Sequence, residues 1–112
     1  MDFQSQTQND VTVISISGRL DGVTAPDYET QIRAIIDNGS TRLVVDFERI
    51  DYISSAGLRS LLMMAKLLKA QNGQVCLANV TGNVKSVFDM SGFNSLFKME
   101  DSISKAVSIV SS

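Results

Sequence analysis

The hydrophobic and polar positions alternate between short apolar runs and longer amphipathic stretches. Val11-Thr12-Val13-Ile14-Ser15-Ile16-Ser17 is rich in β-branched residues and follows the turn signal Asn9-Asp10, so the chain is expected to open on a strand, a turn and a second strand. Its apolar positions do not keep strict alternation, which predicts partial cover on both faces. Gly18-Arg19-Leu20-Asp21-Gly22 reads as a loop. Thr24 then precedes Ala25-Pro26, and proline is tolerated in a first helical turn. Asp27 and Glu29 lie near that helix start, where the dipole favours negative charge. Tyr28, Ile32, Ile35 and Ile36 fall at i, i+4, i+7 and i+8, one helical face, and Asn38-Gly39 stops the helix.

Leu43-Val44-Val45, ending at Asp46-Phe47, predicts a strand buried on both faces. Beyond Glu48-Arg49-Ile50-Asp51-Tyr52-Ile53, a second helix opens at Ser54-Ser55-Ala56-Gly57. Leu58, Leu61, Leu62, Ala65 and Leu68 form its core stripe, and Gln71-Asn72-Gly73 ends it. Its period sets Met63 and Leu67 opposite that stripe, beside Arg59, Ser60 and Lys66, as a candidate partner or self-association face. Val75 to Ala78 reads as another buried strand. Val84, Val87 and Phe88 mark a third helix ending at Ser91-Gly92, and Leu96-Phe97-Lys98-Met99 a short strand. Asp101-Ser102 caps a last helix carrying Ile103, Ala106, Val107 and Val110. This order predicts an α/β fold: a mixed, mostly parallel sheet of four to five strands, an antiparallel N-terminal hairpin at one edge, and about four helices.

Composition narrows the function. The 112 residues fit one domain over 1–112, and 44% hydrophobic against 20% charged residues argues against disorder. A net charge of -2, with lysines and arginines scattered singly, argues against nucleic-acid partners. Histidine is absent, which removes the commonest general base. The one cysteine, Cys76, sits in Val75-Cys76-Leu77-Ala78 and reads as a buried structural thiol. Met1 to Gln6 lacks the basic and apolar regions of a signal peptide. No apolar run approaches the roughly 20 residues that cross a bilayer, so a cytoplasmic protein without membrane insertion is expected. The glycine-rich phosphate loops and the Gly-x-Ser-x-Gly elbow are missing. No acidic pair near the first strand's end could hold the magnesium of a phosphoaspartate receiver. The expectation is a binding module, not an enzyme, with no cofactor and no metal.

The junction from Asp46 to Leu62 carries the candidate chemistry, because functional groups of α/β sheets collect beyond the carboxyl ends of strands. Ser54 or Ser55 can cap the helix by accepting from a first-turn N–H. A phosphoryl group on Ser55 would lie near unpaired N–H groups at the positive end of a helix dipole, so the fold should tolerate it. Asp46 reads as a structural acceptor for the Ser54-Ser55 loop, and Asp21 as a loop residue satisfying nearby N–H groups.

Asp46-Phe47-Glu48-Arg49-Ile50-Asp51-Tyr52-Ile53-Ser54-Ser55-Ala56-Gly57-Leu58 resembles the signature of the anti-sigma factor antagonists, the stand-alone members of the STAS domain family. Gly18-Arg19-Leu20-Asp21 with Thr24-Ala25 is similar to that family's first loop, and Val84 to Gly92 to its third helix. The resemblance implies the STAS fold and a partner that is both an anti-sigma factor and a serine kinase. Binding frees the sigma factor, and phosphorylation of one serine, matching Ser55, ends the binding. A serine phosphatase is a further candidate partner. The best-known members carry Asp directly before that serine; this chain has Ser54, a competing acceptor. Asp21 is expected beside the phosphorylation site. The expected partner surface comprises Asp21, Ser54, Ser55, Gly57, Arg59 and Met63. The alternative implied by the family is a non-phosphorylated scaffold subunit of a sensory or lipid-transport complex.

Overall fold

The computed structural model describes residues 1–111; Ser112, the last residue of the domain expected over 1–112, lies outside the described residues. The elements run β1 (Asp2–Gln8), β2 (Val11–Leu20), α1 (Ala25–Asp37), β3 (Arg42–Ile53), α2 (Ser55–Ala70), β4 (Gln74–Ala78), α3 (Gly82–Ser91), a 3-10 turn (Phe93–Ser95), β5 (Lys98–Glu100) and α4 (Ile103–Ser111). Asn9 and Asp10 both adopt positive φ, 51° and 66°, which suits a two-residue hairpin whose twist matches its strands. β1 and β2 pair antiparallel, and every later pairing is parallel.

The strands lie side by side in chain order, β1 to β5. Each parallel crossover therefore steps the same way across the sheet, and right-handed crossovers stepping one way leave their helices on one face. Tyr28, Ile32 and Ile36 of α1, Leu58, Leu61, Met64 and Leu68 of α2, and Val84 and Phe88 of α3 share one core there. Leu43, Val45 and Phe47 of β3 point into it. Phe88 meets Phe47 and Phe97 edge to face, at 6.0 and 6.4 Å between ring centres. α4 joins no two strands among the described residues, and it covers the opposite face, where Ala106 and Val110 meet Val11, Val13, Val44, Cys76 and Ala78. Cys76 is buried and free there, and burial pushes its thiol up to about 11.

Several boundaries differ from those expected. Gly18 to Leu20 continue β2 instead of forming a loop. β3 does not end at Phe47 but runs to Ile53, with one extra residue opposite Ser15–Ser17 and another opposite Gly18–Arg19. Such bulges change the inward spacing from two to three, giving Phe47, Ile50 and Ile53. The last strand is Lys98–Glu100; Leu96 is exposed and outside it. On α2, Met64 belongs to the core stripe, while Leu62 and Ala65 are only half-buried. Ser60, expected on the outer face, is 0% exposed: its hydroxyl donates to Glu29 Oε2 at 2.6 Å and ties α1 to α2.

Candidate functional site

The carboxyl ends of β2 and β3 meet the start of α2 in one corner. Ser54 N–H donates to the Leu20 carbonyl at 3.0 Å, locking the two strand ends together. Ser54 is the N-cap of α2, with extended backbone at φ -105° and ψ 176°, and its Oγ accepts from Gly57 N–H at 3.4 Å. Ser55 is the first helical residue and is exposed. The two serines thus divide the roles: one hydroxyl serves the fold, and the other faces solvent.

Gly57 is buried, and a Cβ there would lie 2.4 Å from the Leu20 carbonyl oxygen. Only glycine lets helix and strand end approach this closely. Gly57, expected on the partner surface, therefore shapes the corner from beneath. A Cβ added at Gly22 would lie 4.0 Å from Ala56 Cβ, so the loop after β2 packs against the first turn of α2.

Asp21 organises that loop. Its Oδ1 accepts from Val23 N–H at 3.1 Å and Thr24 N–H at 3.2 Å, and its Oδ2 accepts from Arg19 Nε at 3.2 Å. The Thr24 N–H, together with Arg19 and Val23, holds the Asp21 carboxyl below its ordinary range. Thr24 does not cap α1 with its side chain; its hydroxyl donates to the Arg19 carbonyl at 2.8 Å and accepts from Asp21 N–H at 3.0 Å. The sequence reading missed a neighbour of this loop. Arg19 and Tyr52 are cross-strand partners, and the guanidinium lies 4.1 Å from the Tyr52 ring centre. The signal for that pair is the β2–β3 register, which the motif alone does not carry.

Asp46 does not serve the Ser54-Ser55 loop. It lies mid-strand, 8% exposed, on the face away from the large core, and accepts from Glu48 N–H at 3.1 Å and Asn79 Nδ2 at 2.8 Å. The extension of β3 to Ile53 carries the loop away from it.

Arg59 is exposed one turn into α2. Met63 and Leu67 are half-buried instead of standing clear of the core, because α1 packs along that side and Arg33 Nη2 donates to Met63 Sδ at 3.2 Å. With Arg59, Leu62, Lys66 and Ala70 they line an open groove of about 420 Å³, mainly apolar, whose charged members are both cationic. The strand order never reverses among the described residues, so their sheet lacks the switch-point crevice of doubly wound α/β folds. No helix among the described residues is long and apolar enough to cross a membrane.

Comparison with known proteins gives the same architecture. The BtrV protein of Bordetella bronchiseptica, whose name places it provisionally among the anti-sigma factor antagonists, is 38% identical over 90 residues, covering 80% of this chain and 78% of its own. The Bacillus cell fate determinant SpoIIAA, solved in its phosphorylated form, aligns with a TM-score of 0.74 and 25% identity over 97% of this chain and 99% of its own. An anti-sigma factor antagonist from Mycobacterium paratuberculosis superimposes with a TM-score of 0.89 at 23% identity, over 99% and 94% of the two chains. The STAS domain profile matches residues 2–106, nearly the whole length. With the sheet, the helices and the Ser54–Gly57 corner in place, the chain belongs to the STAS domain family.

Proposed function

We propose that this protein is an anti-sigma factor antagonist: unphosphorylated, it binds an anti-sigma factor that is also a serine kinase, and the sigma factor is released. Phosphorylation of Ser55 ends the binding, and a serine phosphatase resets the switch. The observation that carries this reading is the division between the two serines. Ser54 Oγ is engaged by Gly57 N–H, whereas Ser55 is exposed on the first turn of a 16-residue helix. A phosphate on Ser55 would sit at the positive end of that helix, and no acidic residue occupies the first turn to repel it. The relatives named anti-sigma factor antagonists, and the phosphorylated state of SpoIIAA, support the same reading.

The contact surface is the Asp21 loop, Ser54, Ser55 and Arg59, continued along the groove by Met63, with Gly57 fixing the approach of the two segments. Release follows from charge placed in the interface, through repulsion and desolvation against the partner. Moving a complex from nearly full to nearly empty occupancy takes about 5.5 kcal/mol of differential affinity.

The test is intact mass after incubation with ATP and the anti-sigma-type kinase encoded nearest to the gene, for wild type, Ser55→Ala and Ser54→Ala. A single phosphate lost only in Ser55→Ala supports the switch. Loss in Ser54→Ala alone moves the acceptor by one residue. A stable complex with no phosphate in any sample replaces the switch with a scaffold role. Ser55→Ala is expected to bind constitutively and Ser55→Asp weakly; tight binding by Ser55→Asp counts against the mechanism.

A further inference from the structure

The sheet has two edges, and they are built differently. β5 has three residues, Lys98–Glu100, with a charge at each end. β1 has seven, with Asp2 its sole charge, and no strand among the described residues pairs with its outer side. β1 pairs with β2 over all seven residues without a register shift, so the edge is regular. It contains no lysine, no proline and no bulge, and Gln4 to Gln8 are all exposed. Proteins that stay apart in solution blunt such an edge with one of those devices, or cover it.

The same edge is complementary to itself. In an antiparallel pairing about Ser5, Asp2 faces Gln8, Phe3 faces Thr7, Gln4 faces Gln6 and Ser5 faces its own copy. No like charges oppose each other, and the lone carboxylate meets an amide that can donate to it. Side-chain alternation agrees with this arrangement. Phe3 packs edge to face on Tyr28, 6.0 Å between ring centres, so Ser5 and Thr7 share the helical side. Gln4 and Gln6 pair with Ser15 and Val13 and share the other side. Opposed residues of an antiparallel pair point to one face, so the helices of both copies fall on the same side of one continuous sheet.

We propose that a second copy of this chain docks on β1, antiparallel, with the two-fold axis through Ser5, giving a ten-stranded sheet. The corner at Ser54 lies at the other end of the β2–β3 strand direction from the hairpin turn and takes no part in this contact. Sedimentation velocity of the full chain over rising concentration tests it, with Ser5→Lys and Ser5→Glu measured alone and mixed. Position 5 is exposed, so both variants should keep the wild-type thermal melt. Wild type is expected to form a dimer. Each variant alone places like charges on the axis and is expected to weaken it by about fivefold or more. The equimolar mixture, in which lysine faces glutamate, is expected to restore it. A wild type that stays monomeric throughout overturns the proposal, as do variants that dimerise undiminished or a mixture that gains nothing.

Discussion

Among the described residues, three helices lie on one face of the sheet and a single helix on the other. Under α1, α2 and α3 are the large fully buried side chains Tyr28, Phe47 and Phe88, with a dense set of leucines and isoleucines around them. Under α4 the buried set is Val11, Val13, Val44, Cys76, Ala78, Ala106 and Val110, nearly all small. Beyond α4 that face is open and polar, around Ser15, Ser17, Asp46 and Glu48. The cause is the winding: crossovers that always step one way stack their helices on one side, and α4, which joins no two strands among the described residues, takes the other. Apolar burial scales with the atoms removed from water, so stability is concentrated on the three-helix face. The α4 face is therefore the part expected to open first.

The largest expected effect tests that asymmetry directly. Phe47→Ala should cost about 3–5 kcal/mol in urea unfolding, through lost burial and the cavity left against Phe88. Val110→Ala on α4 should cost only about 1.5–2 kcal/mol, roughly two methylene equivalents. Equal losses would break the comparison. Cys76 sharpens it, because its thiol is buried beneath α4 and held protonated well above neutral pH. Thiol labelling needs exposure and the thiolate, so native Cys76 should react slowly at neutral pH. Labelling of native Cys76 should still outpace global unfolding, and Phe47→Ala, which lowers global stability from the other face, should leave the labelling rate nearly unchanged. A rate that merely follows global unfolding would mean that α4 does not open alone.

Smaller effects separate the residues at the corner. Ser54→Ala removes the cap of α2 and should cost about 1 kcal/mol. Ser55→Ala removes an exposed hydroxyl and should stay within about 0.5 kcal/mol. Paired urea titrations check both, and a reversed order would exchange the two serines' roles. The smallest effect belongs to Asp21. Its folded pKa lies below the ordinary 3.8, so its contribution is present above that value and is lost as pH falls through the folded one. The stability advantage of wild type over Asp21→Asn should therefore shrink as the solution is acidified below the ordinary carboxylate range. An advantage constant with pH would remove the carboxylate from the account.

What was legible in the sequence was local. The hairpin turn, the α1 face and the serine cap depend on residues a few positions apart, and each stands where it was expected. The signature around Ser54 and Ser55 located the corner, because a cap and a close-approach glycine act within one turn. The second half of β3 was not legible, since two bulges replace the strand period of two by three, and Phe47, Ile50 and Ile53 then look like no strand. Ser60 misled for a similar reason: a polar residue reads as outward until its partner, Glu29 on another helix, is known. Sequence alone points Asp46 at the Ser54-Ser55 loop, whereas its partner Asn79 follows β4. The Arg19–Tyr52 stack also required the strand register.

The side-by-side order of the strands also bears on how the chain is made. Each strand lies next to the one translated just before it, so the sheet can grow one strand at a time from the β1–β2 hairpin as the polypeptide emerges from the ribosome, with no slot held open for a later strand. The helices of the large core arrive between those strands and can close over them as they come. α4 follows every strand. Until it emerges, a nascent chain with all five strands in place still exposes Val11, Val13, Val44 and Cys76, which makes that interval the one in which a chaperone has most to hold.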